Sequence, residues 1–231
     1  MSSANVPVIA IDGPSASGKG TVAANVAAAL GFHYLDSGAL YRLATLAALR
    51  ARASLDDEAA LAAIAGAMQV EFRDGRTWLD GREVTAEVRT EEVSAAASRV
   101  AAQPAVRRAL FERQRAFRRP PGLVAEGRDM GSVVFPDAAL KVYLTASIET
   151  RAERRYKQLI EKGMYAKMAD VVEELRRRDE RDRSRPVAPL KHYPDAIFLD
   201  TTGLSVEEAV NRILAWWRER SATSGSSSQQ V

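Results

Sequence analysis

The sequence predicts an α/β fold, namely a five-stranded parallel sheet with helices on both faces and an inserted small antiparallel β meander. Short apolar runs near residues 8, 33, 123, 141 and 197, mostly separated by helical patterns, are typical of buried parallel strands. A glycine-rich turn follows the first run. Between residues 69 and 85 two Asp-Gly pairs lie between alternating segments, which indicates three short antiparallel strands.

The glycine-rich turn has the spacing of a phosphate-binding loop. It follows the strand Val8–Asp12 and precedes an alanine-rich helix that ends before Gly31. Glycines let successive backbone N–H groups point at one anion, and the start of the helix adds partial positive charge. We expect nucleotide phosphates to bind to Gly13, Pro14, Ser15, Ala16, Ser17, Gly18, Lys19, Gly20 and Thr21. The alternative is a structural turn that binds nothing.

The loop departs from its common form at one position. A Ser or Thr usually follows the lysine and ligates magnesium, whereas here Gly20 follows Lys19 and Thr21 comes one residue later. This Gly-Lys-Gly-Thr variant resembles nucleoside-monophosphate kinases rather than GTPases or motor ATPases. No protein ligand to metal is therefore predicted: we expect Mg²⁺ to be held mainly by phosphates and water, with any contact from Thr21 indirect.

Composition limits the other possibilities. The 231 residues suit one core with insertions, and a net charge of +3 is too small to indicate a nucleic-acid partner. The absence of cysteine excludes disulfides and suits a reducing compartment. No apolar run is long enough to span a membrane, and residues 1–5 lack a secretory signal. We expect a cytoplasmic protein, monomeric and without a membrane partner.

Helices are predicted between the strands from periodicity and caps. They cover about residues 37–52, 54 onward, 89–102, 104–118, 147–163, 168–183 and 205 onward. Ser205 and Glu208 form a capping box at the start of the last helix. The domain is expected to span residues 1–220, and the Ser-rich segment 221–231 is expected to be a disordered tail.

Four motifs in this order resemble those of the bacterial cytidylate kinases: the loop 13–21 and the segments Asp36–Arg42, Glu126–Gly131 and Arg178–Arg185. The resemblance covers about residues 6–218 and implies transfer of a phosphoryl group from ATP to CMP or dCMP. It also implies a core (about 5–36, 104–150 and 186–220), a monophosphate-binding region with the β insertion (about 37–103) and a short helical lid (about 151–185). One departure is Glu126, where the family usually has Asp.

The resemblance also implies roles for individual residues. Lys19 would bridge the β- and γ-phosphates of ATP. The residues that would hold the acceptor and transferring phosphates are Arg42, Arg128, Arg178 and Arg185. Arg107 would serve the acceptors of cytosine, and Ser98 and Asp129 its amino group. The sugar would meet Asp182 and Arg178, and the phosphate and sugar side of the acceptor would meet Ser37 and Tyr41.

Two other functions are compatible with a phosphate-binding loop. One is a kinase of another small acceptor, such as UMP, AMP or a sugar-like alcohol. The other is a nucleotide-sensing or RNA-binding module that holds ATP without transferring phosphate. The β insertion and the pairing of Arg107 with Asp129 as base-reading groups favour a cytidylate kinase over a kinase of another acceptor. The Gly-Lys-Gly-Thr variant and the β insertion disfavour the non-catalytic module, which explains neither.

Overall fold

A computed structural model describes residues 6–73 and 75–226 of the chain. Contacts divide it into two compact units: one comprises the described residues up to Leu35 and those from Phe117 onward, and the other comprises Asp36–Ala116. Elements are numbered along the chain. The strands are β1 (Val8–Asp12), β2 (His33–Asp36), β3 (Val70–Arg73), β4 (Arg76–Leu79), β5 (Arg82–Glu83), β6 (Leu123–Gly127), β7 (Leu140–Thr145) and β8 (Ile197–Asp200).

The helices of the described residues are α1 (Lys19–Leu30), α2 (Ser37–Arg50), α3 (Glu58–Ala67), α4 (Glu91–Val100), α5 (Pro104–Arg115), α6 (Ile148–Glu161), α7 (Met168–Ser184) and α8 (Val206–Ser226). A 3₁₀ turn, Glu87–Arg89, precedes α4, and a π-helical turn, Met130–Val134, follows β6. None of these helices combines the length and the apolarity that crossing a membrane requires.

The first unit is built on the five-stranded sheet, whose order is β2-β6-β1-β7-β8. Strand β1 pairs in parallel with β6 and β7, and β7 pairs in parallel with β8. The predicted sheet is therefore confirmed, and its central strand leads directly into the glycine-rich loop. The central strand β1 is a continuous apolar run because both of its faces are buried: successive residues from Val8 to Ile11 are at most 1% exposed. On one face, Ile9 and Val142 pack in one core with Val26 of α1 and Ile213 of α8.

The second unit combines the meander with four helices. Strands β3, β4 and β5 form the predicted three-stranded antiparallel sheet. Its second turn has Asp80 at φ 50° and Gly81 at φ 78°, the left-handed pair that an Asp-Gly hairpin turn requires. Asp74, of the first predicted turn, lies outside the described residues. Helix α3 packs on α5, and α2 packs on α4.

Three boundaries differ from the predictions. Helix α5 ends at Arg115 and belongs to the second unit, whereas residues 104–150 were grouped with the core. The reason is its packing on α3, which periodicity cannot reveal. Helix α8 continues to Ser226, six residues into the predicted tail, and the hydroxyl of Ser221 donates to the carbonyl of Trp217 at 2.8 Å. Residues 227–231 of that tail lie outside the described residues.

Candidate active site

The loop between β1 and α1 has the backbone of an anion-binding turn. Gly18 has φ 90° and caps α1, so the helix starts at Lys19 with its N-terminal amides facing the loop. A Cβ atom at Gly13 would collide with the carbonyl oxygen of Leu144, so only glycine fits there. Ala16 also has positive φ (58°), an uncommon conformation for a residue with a Cβ atom.

Side chains from α6 and from the end of β8 hold this loop from outside. The guanidinium of Arg151 donates to the carbonyl of Ser15 at 3.1 Å, and that of Arg154 donates to the carbonyl of Ser17 at 2.9 Å. The hydroxyl of Thr201 donates to the same carbonyl of Ser17 at 3.3 Å. Because these loop carbonyls already accept hydrogen bonds from outside, the backbone amides of the loop can point inward, toward the expected position of the phosphates. None of these three residues was among the site residues predicted from the sequence.

Lys19 lies beside a buried carboxylate. Its Nζ donates to the carbonyl of Pro14 at 3.4 Å and is 3.5 Å from Oε2 of Glu126, and both side chains are about one-tenth exposed. The hydroxyl of Tyr34 donates to Oε1 of Glu126 at 3.4 Å. A Cβ atom at Gly20 would be 3.2 Å from the same oxygen. The longer Glu126 therefore occupies the space next to Gly20, while Thr21 is exposed.

Arg128 joins the loop to helix α7, which lies in the segment predicted to be a lid. Its Nε donates to Oδ2 of Asp182 at 2.7 Å, and one terminal nitrogen donates to the hydroxyl of Ser15 at 2.8 Å. Burial alone would lower the pKa of Arg128, but the carboxylates of Asp182, Glu126 and Asp12 together outweigh this effect and the pKa is raised. The guanidinium therefore stays charged although it is largely removed from water.

Asp182 lies in a cluster of arginines whose positive charges offset its negative charge. Burial would raise the pKa of Asp182, but the cations of Arg128, Arg178 and Arg185 lower it below its usual value. A terminal nitrogen of Arg185 lies 3.6 Å from Oδ1 of Asp129, and both side chains are 4% exposed. The structure thus brings together residues from three separate sequence motifs, as the sequence predicted for one sheet edge.

Asp12, the last residue of β1, contacts the turn that follows β6. Its two carboxylate oxygens accept hydrogen bonds from the backbone amides of Met130 and Gly131, each at 2.8 Å. Burial is the largest effect on this group and raises the pKa of Asp12 to about 7, although the two amides counteract it. Asp12 was predicted from the sequence only as a strand residue.

In the second unit, the predicted acceptor residues lie on α2, α4 and α5. The guanidinium carbon of Arg107 is 5.7 Å from the centre of the Tyr41 ring, and Arg107 donates to the carbonyl of Ala101 at 3.2 Å. Arg42 donates to Oδ2 of Asp36 at 2.6 Å, while Oδ1 of Asp36 accepts from the amide of Ala39 and caps α2. Ser37 and Ser98 are buried.

The site residues named from the sequence therefore fall into two groups. Those in the first unit are linked by direct contacts around the loop, and those in the second unit lie on helices that pack together. In the described part of the chain, no three side chains of the His, Cys, Asp and Glu types cluster as metal ligands would. Which of these residues contact a nucleotide stays a prediction.

Comparison with known proteins identifies the family. The sequence profile described as cytidylate kinase matches residues 9–219. The cytidylate kinase of Chromobacterium violaceum is 59% identical over 218 residues, covering 94% of this chain and 98% of the relative. That of Nitrosomonas europaea is 56% identical over 219 residues, covering 95% and 98%. A solved Thermus thermophilus structure aligns with a TM-score of 0.45 at 22% identity, covering 93% of this chain and 97% of that chain. On the profile and sequence matches, the chain belongs to the cytidylate kinase family.

Proposed function

We propose that this protein transfers the γ-phosphoryl group of ATP to CMP or dCMP, giving CDP or dCDP and ADP. The observation that carries the proposal is the contact of Arg128 with both the hydroxyl of Ser15 in the phosphate-binding loop and the carboxylate of Asp182 on α7. A permanently charged, partly buried guanidinium is thereby fixed next to the loop that would hold the donor phosphates.

The proposed chemistry needs charge and alignment more than a base. Phosphoryl transfer has a loose transition state, so catalysis rests on positioning and on stabilising the charge of the equatorial oxygens. The phosphate of a nucleoside monophosphate has a second pKa of about 6 and is already mostly dianionic at neutral pH. The catalytic groups are therefore cations, and we assign this role to Lys19, Arg128, Arg178 and Arg185.

Mg²⁺ fits this arrangement as an ion held mainly by phosphate oxygens and water. When bound, it would neutralise charge on the β- and γ-phosphates. The carboxylate of Glu126 is 3.5 Å from Nζ of Lys19 and lies beside Gly20, so we propose that it would contact the ion through water, in place of the hydroxyl that other phosphate-binding loops carry at the position of Gly20. ATP is the donor because the loop matches that of nucleoside-monophosphate kinases.

Recognition of cytosine is assigned by hydrogen-bond polarity. Cytosine offers acceptors at O2 and N3 and a donor at its N4 amino group. We propose that Arg107 serves the acceptors and that Ser98 and Asp129 accept from the amino group. Uracil reverses this pattern and would leave polar groups unpaired, at a cost of about 1–3 kcal/mol for each group.

The remaining acceptor contacts are assigned to residues on α2 and α7. Arg42 would hold the acceptor phosphate, so its present pairing with Asp36 at 2.6 Å would have to be shared with that phosphate. Ser37 and Tyr41 would meet the phosphate and sugar side of the acceptor. Asp182 and Arg178 would meet the sugar, and closure of the lid over both nucleotides would keep water from accepting the phosphoryl group.

A steady-state assay with ATP and the acceptors CMP, dCMP, UMP and AMP tests the proposal. We expect CMP and dCMP to react with a higher kcat/KM than UMP and AMP. Faster turnover of UMP would contradict the assignment of the base-reading residues. Absence of transfer to every acceptor, with ATP still bound, would support the non-catalytic nucleotide-binding alternative. The monomeric state and cytoplasmic location inferred from composition stay predictions.

A further inference from the structure

We propose that Asp12 is a positioning residue, which acts through the backbone amides of Met130 and Gly131 to hold the segment that carries Arg128 and Asp129. The inference rests on the proposed kinase function, because it assigns to Asp12 a share of the transfer rate. Asp12 itself would contact neither reacting phosphate. Its effect would come from where it places the side chains of Arg128 and Asp129.

The hydrogen bonds of Asp12 lie where the ladder between β1 and β6 ends. Asp12 is opposite Gly127 in that register, and the amide of Gly13 donates to the carbonyl of Gly127 at 3.3 Å. Beyond this pair the two segments turn into the loop and into the π-helical turn. The carboxylate supplies the next two hydrogen bonds. Its Oδ1 accepts from the amide of Met130 and its Oδ2 from the amide of Gly131, each at 2.8 Å. It therefore replaces the backbone pairing that the diverging strands no longer provide.

The two residues just before these amides are those whose placement matters most in the proposed chemistry. Arg128 contacts Ser15 and Asp182, and Asp129 faces Arg185 at 3.6 Å. A π-helical turn is an uncommon conformation and often marks a functional position. If the amides of Met130 and Gly131 lost their acceptor, the turn would relax and both side chains would shift together. A misplacement of about 1 Å can cost about 100-fold in rate.

The phosphate-binding loop has supports of its own. Arg151 and Arg154 donate to its outward carbonyls, at Ser15 and Ser17. Loss of the Asp12 contacts should therefore disturb ATP binding less than it disturbs catalysis and CMP binding. This difference separates a positioning role from a general loss of structure, which would change all three.

The charge of Asp12 is essential to this role. A carboxylate can accept both amide hydrogens, whereas an asparagine offers one carbonyl oxygen and turns its own NH₂ group toward the other amide. The pKa of Asp12, about 7, means that its charge changes near neutral pH. The charged and titratable groups that face it are Arg128 and Asp129 and, around the small adjoining cavity, Lys141, Tyr143, Lys191, Tyr193 and Asp195.

The kinetic test compares Asp12→Asn with Asp195→Asn. Asp195 lines the same cavity and pairs with Lys141, but it makes no bond to the turn, so it controls for loss of one negative charge. We expect Asp12→Asn to lower kcat at least about 10-fold and to raise KM for CMP, with KM for ATP changed less than about 3-fold. The control should keep its kcat. An unchanged kcat, or equal changes in both KM values, would overturn the proposal.

A second measurement needs no variant and no activity. Asp129–Met130 is the only Asp-Met pair in the sequence, so ¹³C-carbonyl aspartate combined with ¹⁵N-methionine selects the amide of Met130 for NMR. We expect this amide to shift downfield as pH rises through about 7, when the carboxylate forms. In folded Asp12→Asn the shift should vanish, and in Asp195→Asn it should persist. If the amide of Met130 had the same chemical shift in folded Asp12→Asn as in the unmodified protein above pH 7, the carboxylate would not hold the turn and the proposal would be overturned. If CMP is not phosphorylated but the amide titrates, the kinase assignment fails and the structural contact stands.

Discussion

In the first unit three cations proposed for catalysis, those of Lys19, Arg128 and Arg185, each lie against a buried carboxylate, whereas in the second unit the cations proposed to bind CMP lie against an aromatic ring, a backbone carbonyl or the carboxylate of Asp36. Arg128 links Ser15 to Asp182, and Arg185 faces Asp129. By contrast, Arg107 contacts the Tyr41 ring and the carbonyl of Ala101. The difference teaches that substitutions in the first unit should perturb structure and catalysis together, while those in the second should act mainly on substrate affinity.

Lys19→Ala gives the largest expected effect and tests whether the first unit is catalytic at all. We expect kcat to fall on the order of 1,000-fold, because a full positive charge at the transferring phosphate is lost. Removal of Lys19 also leaves Glu126 without the cation that lies 3.5 Å away. Steady-state kinetics with ATP and CMP measure the effect. Lys157→Ala, at an exposed position of α6, is the control and should keep full activity.

Asp179→Ala tests how tightly the lid helices are bound to the loop. Arg151 donates two hydrogen bonds to Asp179, at 3.0 and 2.6 Å, and both side chains are about 5% exposed. Removal of the carboxylate leaves a buried guanidinium uncompensated, so we expect the free energy of unfolding to fall by about 3–5 kcal/mol. Urea denaturation followed by circular dichroism measures this change.

The same helix offers a matched control for that substitution. Glu173 accepts from Arg177 at 2.9 Å, but both side chains are more than half exposed. Glu173→Ala should therefore lower the free energy of unfolding by less than about 0.5 kcal/mol. Similar losses of unfolding free energy in the two variants would show that the buried pair contributes no more than a surface pair. Contacts in the first unit would then give no reason to expect substitutions there to perturb structure.

Arg107→Met tests the second unit. We expect KM for CMP to rise between about 5-fold and about 150-fold, the equivalent of about 1–3 kcal/mol for an unpaired polar group, with KM for ATP unchanged. Arg108→Met, at the exposed neighbouring position, should change neither value. Equal changes in both KM values for Arg107→Met would place this residue with the fold or the donor site instead.

The sequence predicted the sheet and the phosphate-binding loop because both depend on local signals. Buried parallel strands are apolar runs, and the loop requires glycine where a Cβ atom would collide with Leu144 or where φ is positive. The predicted end of α5 and extent of α8 were wrong: α5 packs on α3, a tertiary contact that periodicity does not reveal, and α8 continues into a Ser-rich segment whose composition is typical of disorder. Neither has a strong signal in the sequence.

The partners of the site residues could not be predicted for a related reason. Of the 33 basic residues 27 are arginine, so composition alone does not distinguish Arg151 from its neighbours on α6. Its contacts with Ser15 and Asp179 join positions 136 and 28 residues apart in the chain. Asp12 was overlooked because an acidic residue at the end of a strand has many possible roles. Only the position of the Met130 and Gly131 amides gives it one.

The smallest expected effect is the coupling between Gly20→Ala and Glu126→Asp, which tests whether the side chain of Glu126 is held in one position. Gly20 lies in the first turn of α1, where alanine is intrinsically better than glycine by about 1 kcal/mol. A Cβ atom there would be 3.2 Å from Oε1 of Glu126, so Gly20→Ala as a single substitution should raise the free energy of unfolding by less than this amount. Glu126→Asp withdraws that oxygen by one methylene, so Gly20→Ala should stabilise this variant more, with a coupling of about 0.5–1 kcal/mol. Urea unfolding of the two single variants and the double variant measures it. Additive effects would mean that Glu126 moves freely, and the site residues of the first unit would then be no more constrained than those of the second.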